Sequence, residues 1–355
     1  MPSKLTVLVL LSAVLNLISP ASSAVSINPL FKPLTGLTAD DLAVIVNDSD
    51  PLSLDIADYY QRARRIPDDN IIHVRFRVSG NSMSAHEFSS LRRQIESRTP
   101  KHVQAYALTW RKPFKVDCMS ITTAFAAGYD EAFCAKGCVE TRKSPYYASS
   151  ISKPYTDLQW RPTMVLAGES FEDVKQLIDR GVAADYSLPK GSAYLLKTHD
   201  VQRSSRAATF AEIAQKFSRF WPVYYLEQDS IAGKTDVMFY FTGLVRVPDI
   251  DKNTYLPGAV ADHLTSTGGI LTGETDQMNS LDWLKAGATA SYGAVVEPCN
   301  YPAKFPNPAV LMYFYFRGSS LIEAYWKSVA EPGQGIFIGE PLARPFAYKS
   351  KEPGR

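Results

Sequence analysis

Between Asp236 and Cys299 the chain alternates continuous apolar runs with helix-like segments, and few folds accept that rhythm. Val237–Phe241, Gly269–Leu271 and Ala290–Val296 read as strands. Each ends in small or polar residues: Thr242-Gly243, Thr272-Gly273-Glu274 and Glu297-Pro298-Cys299. One intervening segment opens a helix at Pro257, and the other is a helix leading through Trp283. Unbroken apolar runs belong to strands covered on both faces, so the unit reads as βαβαβ in a parallel sheet. Ligands of such sheets bind beyond the carboxyl ends of the strands. The expected ligand cleft is therefore walled by Thr242, Gly243, Gly273, Glu274, Asp276 and Glu297, whose carboxylates favour a cationic or polyhydroxyl partner.

The same alternation runs through the rest of the chain. Ala43–Val46 reads as a buried strand, Asp50-Pro51 starts a helix with the stripe Leu52, Ile56, Tyr59 and Ala63, and Pro67 stops it. Ile71–Phe76 and Val103–Trp110 are the next strands, separated by a helix that the capping box Ser84-x-x-Glu87 opens. Right-handed crossovers make residues 40–110 a parallel β-α-β-α-β subdomain. The rhythm breaks over residues 111–160, which carry three of the cysteines and end in a Pro/Ser/Tyr-rich passage; they read as a loop excursion and connector. It resumes with strands at Thr163–Ala167 and Ala193–Leu196 and helices opened by Ser170 and spanning Ser204–Phe220. Helices opened by Asn307-Pro308 and Ser320, and a strand at Gly335–Ile338, close a second, larger subdomain over residues 161–346. The fold class is α/β, as two βα subdomains with mainly parallel sheets, and residues 25–39 and 347–355 are a tether and a tail.

Composition narrows the setting. Lys4 precedes an uncharged apolar run, Leu5–Ile18, and Ser22-Ser23-Ala24 supplies small residues for cleavage after Ala24. Residues 1–24 thus read as a signal peptide, which implies a periplasmic or extracellular protein with no membrane span after cleavage. A net charge of +2 gives no electrostatic reason to expect nucleic acid as a partner. Four cysteines in an exported chain point to disulfides before metals, with Cys134 and Cys138 placed to bridge and Cys118 and Cys299 left over. No metal and no cofactor is expected: no two histidines show helical metal spacing, and no G-x-G-x-x-G, Walker or G-x-S-x-G motif is present.

The phrases LAVIVNDSDPLSLDIADYY, AYALTWRKPFKV, VMFYFTG, PGAVADHL, GATASYGAVVEPC, LIEAYWKS and GEPLARPF resemble a family of uncharacterised exported bacterial proteins found in genomes that carry the exosortase sorting system. That resemblance covers the mature chain and implies a role in the envelope. Element order, the YFTG strand end and the closing glycine-acidic-Pro-Leu phrase also make the chain similar, more distantly, to gingipain-like cysteine peptidases of the caspase fold. In that family a histidine follows the first strand end and a cysteine ends the next strand. Here those slots hold Leu244 and, near Glu274–Asp276, no cysteine. The gingipain-type dyad is missing, and thiol attack needs both partners within hydrogen-bond reach.

Two functions remain. One is a non-catalytic, caspase-like binding or accessory module of the envelope, linked to protein sorting or exopolysaccharide, with an exported protein or a glycan as partner. The other is a hydrolase with a rearranged site, using Cys118, His263 and the carboxylates. Of the other histidines, His199 stands at a strand end and His73 within a strand, while His86 and His102 read as exposed. Free-thiol titration of the native protein separates the two functions. Four oxidised cysteines remove the thiol enzyme, and one fast-reacting Cys118 restores it.

Overall fold

The computed structural model describes residues 33–348, Glu274 apart; the signal peptide, most of the tether and most of the tail lie outside them. Strand β1 (Leu42–Asn47) has all six residues buried, which a strand achieves only when both faces are covered. Helix α1 (Pro51–Arg64) follows as the sequence predicts. The Asp50 carboxylate accepts from Leu52 N–H, and Pro51 sits in the first turn, where no amide is needed. Strand β2 (Ile71–Val74) and a two-residue strand β3 (Ser82–Met83) lead to α2 (Ala85–Arg98), opened by the Ser84–Glu87 capping box. Strand β4 (Ala105–Leu108) returns beside β1.

Residues 111–160 are not a solvated excursion. They hold β5 (Lys115–Val116), β6 (Met119–Ser120), α3 (Ile121–Ala127) and α4 (Pro154–Leu158). Ile121 through Ala126 are buried, because the ITTAFA stretch is apolar or small and its hydroxyls bond internally. Thr123 Oγ1 donates to the Pro332 carbonyl at 2.8 Å, tying this segment to the far end of the chain.

Beyond it come β7 (Thr163–Val165), α5 (Phe171–Ala184), β8 (Ser192–Lys197), α6 (Phe210–Phe217), β9 (Val223–Glu227) and β10 (Val237–Gly243). The chain then runs through β11 (Tyr255–Leu264), α7 (Ser280–Ala286), β12 (Ala290–Ala294), α8 (Pro308–Phe316), α9 (Leu321–Lys327) and β13 (Gly335–Gly339). The strands form one ten-stranded sheet in the order β2-β1-β4-β7-β13-β12-β11-β10-β8-β9, with a small second sheet β3-β5-β6. The α/β class and the mainly parallel sheet agree with the sequence. Two separate sheets do not form, because β13 pairs antiparallel with β12 and parallel with β7, closing the gap between the halves.

Two element assignments change. Residues from Pro257 form strand β11, not a helix, and Gly269–Leu271 is a turn. The polar pair Asp262-His263 disguises a fully buried strand end; partners elsewhere in the chain neutralise it. The turn reads as apolar because it packs closely: Gly269 N–H donates to the Ala294 carbonyl, and a Cβ on Gly293 would meet the Gly268 backbone at 2.2 Å. Strand β9 escaped the sequence reading because it is a half-exposed edge strand.

The bridges are Cys118–Cys134 and Cys138–Cys299, not Cys134–Cys138. Cys134 is buried beside the β5–β6 hairpin whereas Cys138 is exposed, so the two sulfurs serve opposite sides of their short loop. All four cysteines are paired. Loop closure ranks their contributions. Separations of 16 and 161 residues correspond to about 3 and about 5 kcal/mol in the chain-entropy treatment. Denaturant melts should therefore show Cys138→Ser/Cys299→Ser losing more stability than Cys118→Ser/Cys134→Ser. The reverse order would mean that native-state packing, not loop closure, dominates.

Candidate functional site

Strands β8, β10 and β11 end side by side, β8 and β11 flanking β10, so their carboxyl ends mark the expected crevice. Its floor is an ion pair. Arg206 Nη2 lies 2.7 Å from Asp262 Oδ1, with the two side chains 4% and 1% exposed. The guanidinium N–H groups are aimed at the carbonyls of Thr242 (2.8 Å) and Pro306 (3.1 Å), so the contact with Asp262 is Coulombic rather than a directed hydrogen bond. Tyr325 Oη donates to Asp262 Oδ2 at 3.2 Å. Burial raises the Asp262 carboxyl above its ordinary range, and Arg206 offsets part of that.

His263, next on β11, points into a sealed pocket. Trp283 Nε1–H donates to His263 Nδ1 at 2.9 Å, which leaves the ring proton on Nε2, 3.1 Å from the Met278 carbonyl. Burial pushes the imidazole pKa down to about 3, and the neighbouring Arg206 and Arg203 charges push the same way. Both ring nitrogens are committed and the ring is neutral at physiological pH. It has no lone pair for a substrate or a metal.

Above this floor the crevice is filled by the chain itself. The turn after β8 lies directly on the end of β10: a Cβ on Gly243 would fall 1.8 Å from the Arg203 carbonyl oxygen. Thr198 Oγ1 donates to the Gly243 carbonyl at 2.6 Å. Arg203 bridges Asp200 (2.8 Å) and Thr265 Oγ1 (3.1 Å), and Thr265 Oγ1 donates to Gln277 Oε1 at 2.7 Å. Gln277 Oε1 also accepts from Thr267 N–H, so one amide side chain pins the loop that follows β11.

The residues named from the sequence are thus distributed, not gathered. Thr242 and Gly243 are buried at the end of β10. Gly273 and Asp276 sit in the exposed loop after β11, where the Asp276 carbonyl accepts from Arg246, and Glu274 lies outside the described residues. Glu297 is exposed beyond β12, its carboxylate accepting from Cys299 N–H at 2.7 Å. Cys118 is bridged near the β5–β6 hairpin. Thr265, not Glu274–Asp276, follows the strand beside β10, because β11 ends at Leu264. Among the described residues, no group of three or more His, Cys, Asp or Glu is arranged to hold a metal ion.

Sequence reasoning passed over Arg206, Asp262, Arg203 and Gln277. The one available signal was the Asp-His pair inside the apolar phrase AVADHL, which a buried strand tolerates only with partners. Four histidines face solvent, His73, His86, His102 and His199, and two of them have a carboxylate on Nδ1. His199 is 2.7 Å from Asp229, and His73 is 2.7 Å from Asp48. Neither ring is hydrogen-bonded to a hydroxyl or thiol among the described residues.

No family model matches the chain, and no curated protein matches it. A solved structure named "Structure of Protease" superposes with a TM-score of 0.44 at 10% identity, covering 87% of this chain and 79% of that one. At that likeness no residue correspondence is carried over.

The floor makes two predictions. Nitrogen-detected NMR should show His263 as the neutral Nε2–H tautomer down to pH 4. Its depressed pKa stabilises the fold above the unfolded value of about 6.5; that contribution falls by about 1.4 kcal/mol per pH unit as pH drops from there toward 3. A His263 protonated at pH 5 would contradict the hydrogen-bond assignment. Second, Arg206→Leu strands a buried carboxylate and should cost about 3–5 kcal/mol, while Arg206→Leu/Asp262→Leu costs less. Chemical denaturation of the single and double variants checks the order.

Proposed function

We propose that this chain is an exported, non-catalytic binding or accessory module of the bacterial envelope, serving protein sorting or exopolysaccharide handling. The observation that carries the reading is the state of the two groups a rearranged peptidase site would use. Cys118 is tied to Cys134 in a disulfide, and His263 is enclosed with both ring nitrogens engaged. A free thiol and a base within reach of it are the minimum for acyl transfer by a cysteine peptidase. The filled crevice above β10 supports the same reading, since a substrate chain would have to displace Arg203 and its partners.

Export is supported by the two disulfides, which persist in oxidising compartments. Among the described residues no helix is long and apolar enough to cross a membrane. A binding module of this kind works by presenting a fixed surface, and a largely buried sheet with cross-linked loops gives it one.

The test is direct. Oxidised mature protein is incubated with a quenched fluorescent peptide library, with and without iodoacetamide. The expected result is no turnover above buffer and no alkylation of the native protein. Turnover that iodoacetamide abolishes, or that is lost in His199→Ala, would overturn the reading in favour of a hydrolase.

A further inference from the structure

A cavity of about 470 Å³ opens at the other end of the sheet, beyond the carboxyl end of β2. One wall is the irregular segment from Arg75 to Ser82, and the other is the face of α2 that carries His86, Ser90 and Gln94. Those three recur every fourth residue and so project in one row. Met83, Leu91 and Phe76 form the apolar part of the lining, with Phe76 held edge-on against Trp110 at 5.1 Å.

The charge of this cavity is positive on balance. Arg75 and Arg77 line it, are exposed, and form no ion pair among the described residues. The one acidic lining residue, Glu87, is already committed: its Oε2 accepts from Ser84 N–H at 3.1 Å and Ser84 Oγ at 2.7 Å. Those bonds hold its carboxyl below the usual range, so it stays ionised and leaves two positive charges against one negative in the lining. Two free guanidinium groups beside three hydroxyls (Ser79, Ser82, Ser90) and the Gln94 amide make a site for an anion that also carries many hydroxyls. A peptide fits less well. The adjacent sheet edge at β3 is two residues long, too short to add a strand.

We infer that this cavity binds a sugar acid: a carboxylate-bearing pyranose, either free or as one residue of an acidic oligosaccharide, with Arg75 and Arg77 on the carboxylate and the α2 row on the hydroxyls. The inference gives the ligand of the proposed module a chemical class, yet it does not require the chain to be non-catalytic. Peptide turnover and sugar binding can fail separately.

Calorimetric titration of the oxidised mature protein with D-glucuronate, a tetragalacturonate, D-glucose and inorganic phosphate tests it. Glucuronate or the tetramer should bind, glucose should bind at least ten-fold more weakly, and raising the salt should weaken the charged ligands only. Tighter binding of the tetramer than of the monomer marks a polysaccharide as the source; equal affinity marks a free sugar acid. Arg75→Ala/Arg77→Ala should weaken the acid at least ten-fold. Gly80→Trp, at a lining position where a Cβ meets nothing within 4 Å, should weaken binding at least ten-fold by crowding the cavity. Neither variant should move the melting temperature. The inference is overturned if no sugar acid binds at millimolar concentration, if glucose or phosphate binds as tightly, or if the two variants bind like the wild type.

Discussion

The strand that closes the chain holds the architecture together. β13 pairs with β12 over five residues, from Ala290↔Gly339 to Ala294↔Gly335, and reaches β7 through Ile338↔Val165. Without it the sheet would fall into β2-β1-β4-β7 and β12-β11-β10-β8-β9, each with an unpaired edge in the core. The residue that follows it is tied just as firmly. Glu340 is fully buried and accepts from Tyr60 Oη at 2.6 Å and Arg64 Nε at 3.0 Å, both on α1. Arg64 also meets Asp185 at the end of α5, so one guanidinium joins α1 to the C-terminal phrase of the chain. Removing Arg64 would leave the Glu340 carboxylate uncompensated in a dry interior, which is why such networks resist piecemeal change.

The same economy of buried charge explains the carboxyl end of β10 and β11. Strands buried on both faces carry few polar groups, and those they carry must be answered from elsewhere. Asp262 is answered by Arg206 and Tyr325, and His263 by Trp283 and Met278. The answers come from residues 20 or more positions away in the chain, apart from Met278. What looks in sequence like a reactive cluster is in space a set of groups that satisfy one another. Arg75 and Arg77, which form no ion pair among the described residues, lie in the other half of the molecule.

The 111–160 segment shows how cross-links and packing can give a segment without periodicity a fixed place. Its Cys138 is bonded to Cys299 at the far side of β12, and Lys304 donates from Nζ to the Val139 carbonyl at 2.6 Å. Burial drives that ammonium pKa down, but the neighbouring Glu331 and Glu297 act against it. Helix α3 then packs its apolar residues against the sheet beside β7 and β13. The segment is part of the core, held by contacts of long sequence separation.

The sequence by itself determined the elements with strong local signatures and the class of fold they build. Capped helices such as α1, α2 and α5 and unbroken apolar strands such as β1 and β10 are specified by residues within a few positions of one another. Three things were decided only by the tertiary structure. The halves merge because β13 is inserted between strands more than 40 residues earlier in the chain. The cysteines pair by the side of the loop they face, Cys134 inward and Cys138 outward, not by their spacing. β11 is a strand although it carries Asp262 and His263, because Arg206 answers the carboxylate and Trp283 and Met278 satisfy the neutral ring. Each depends on which distant residues meet, and periodicity along the chain carries no record of that.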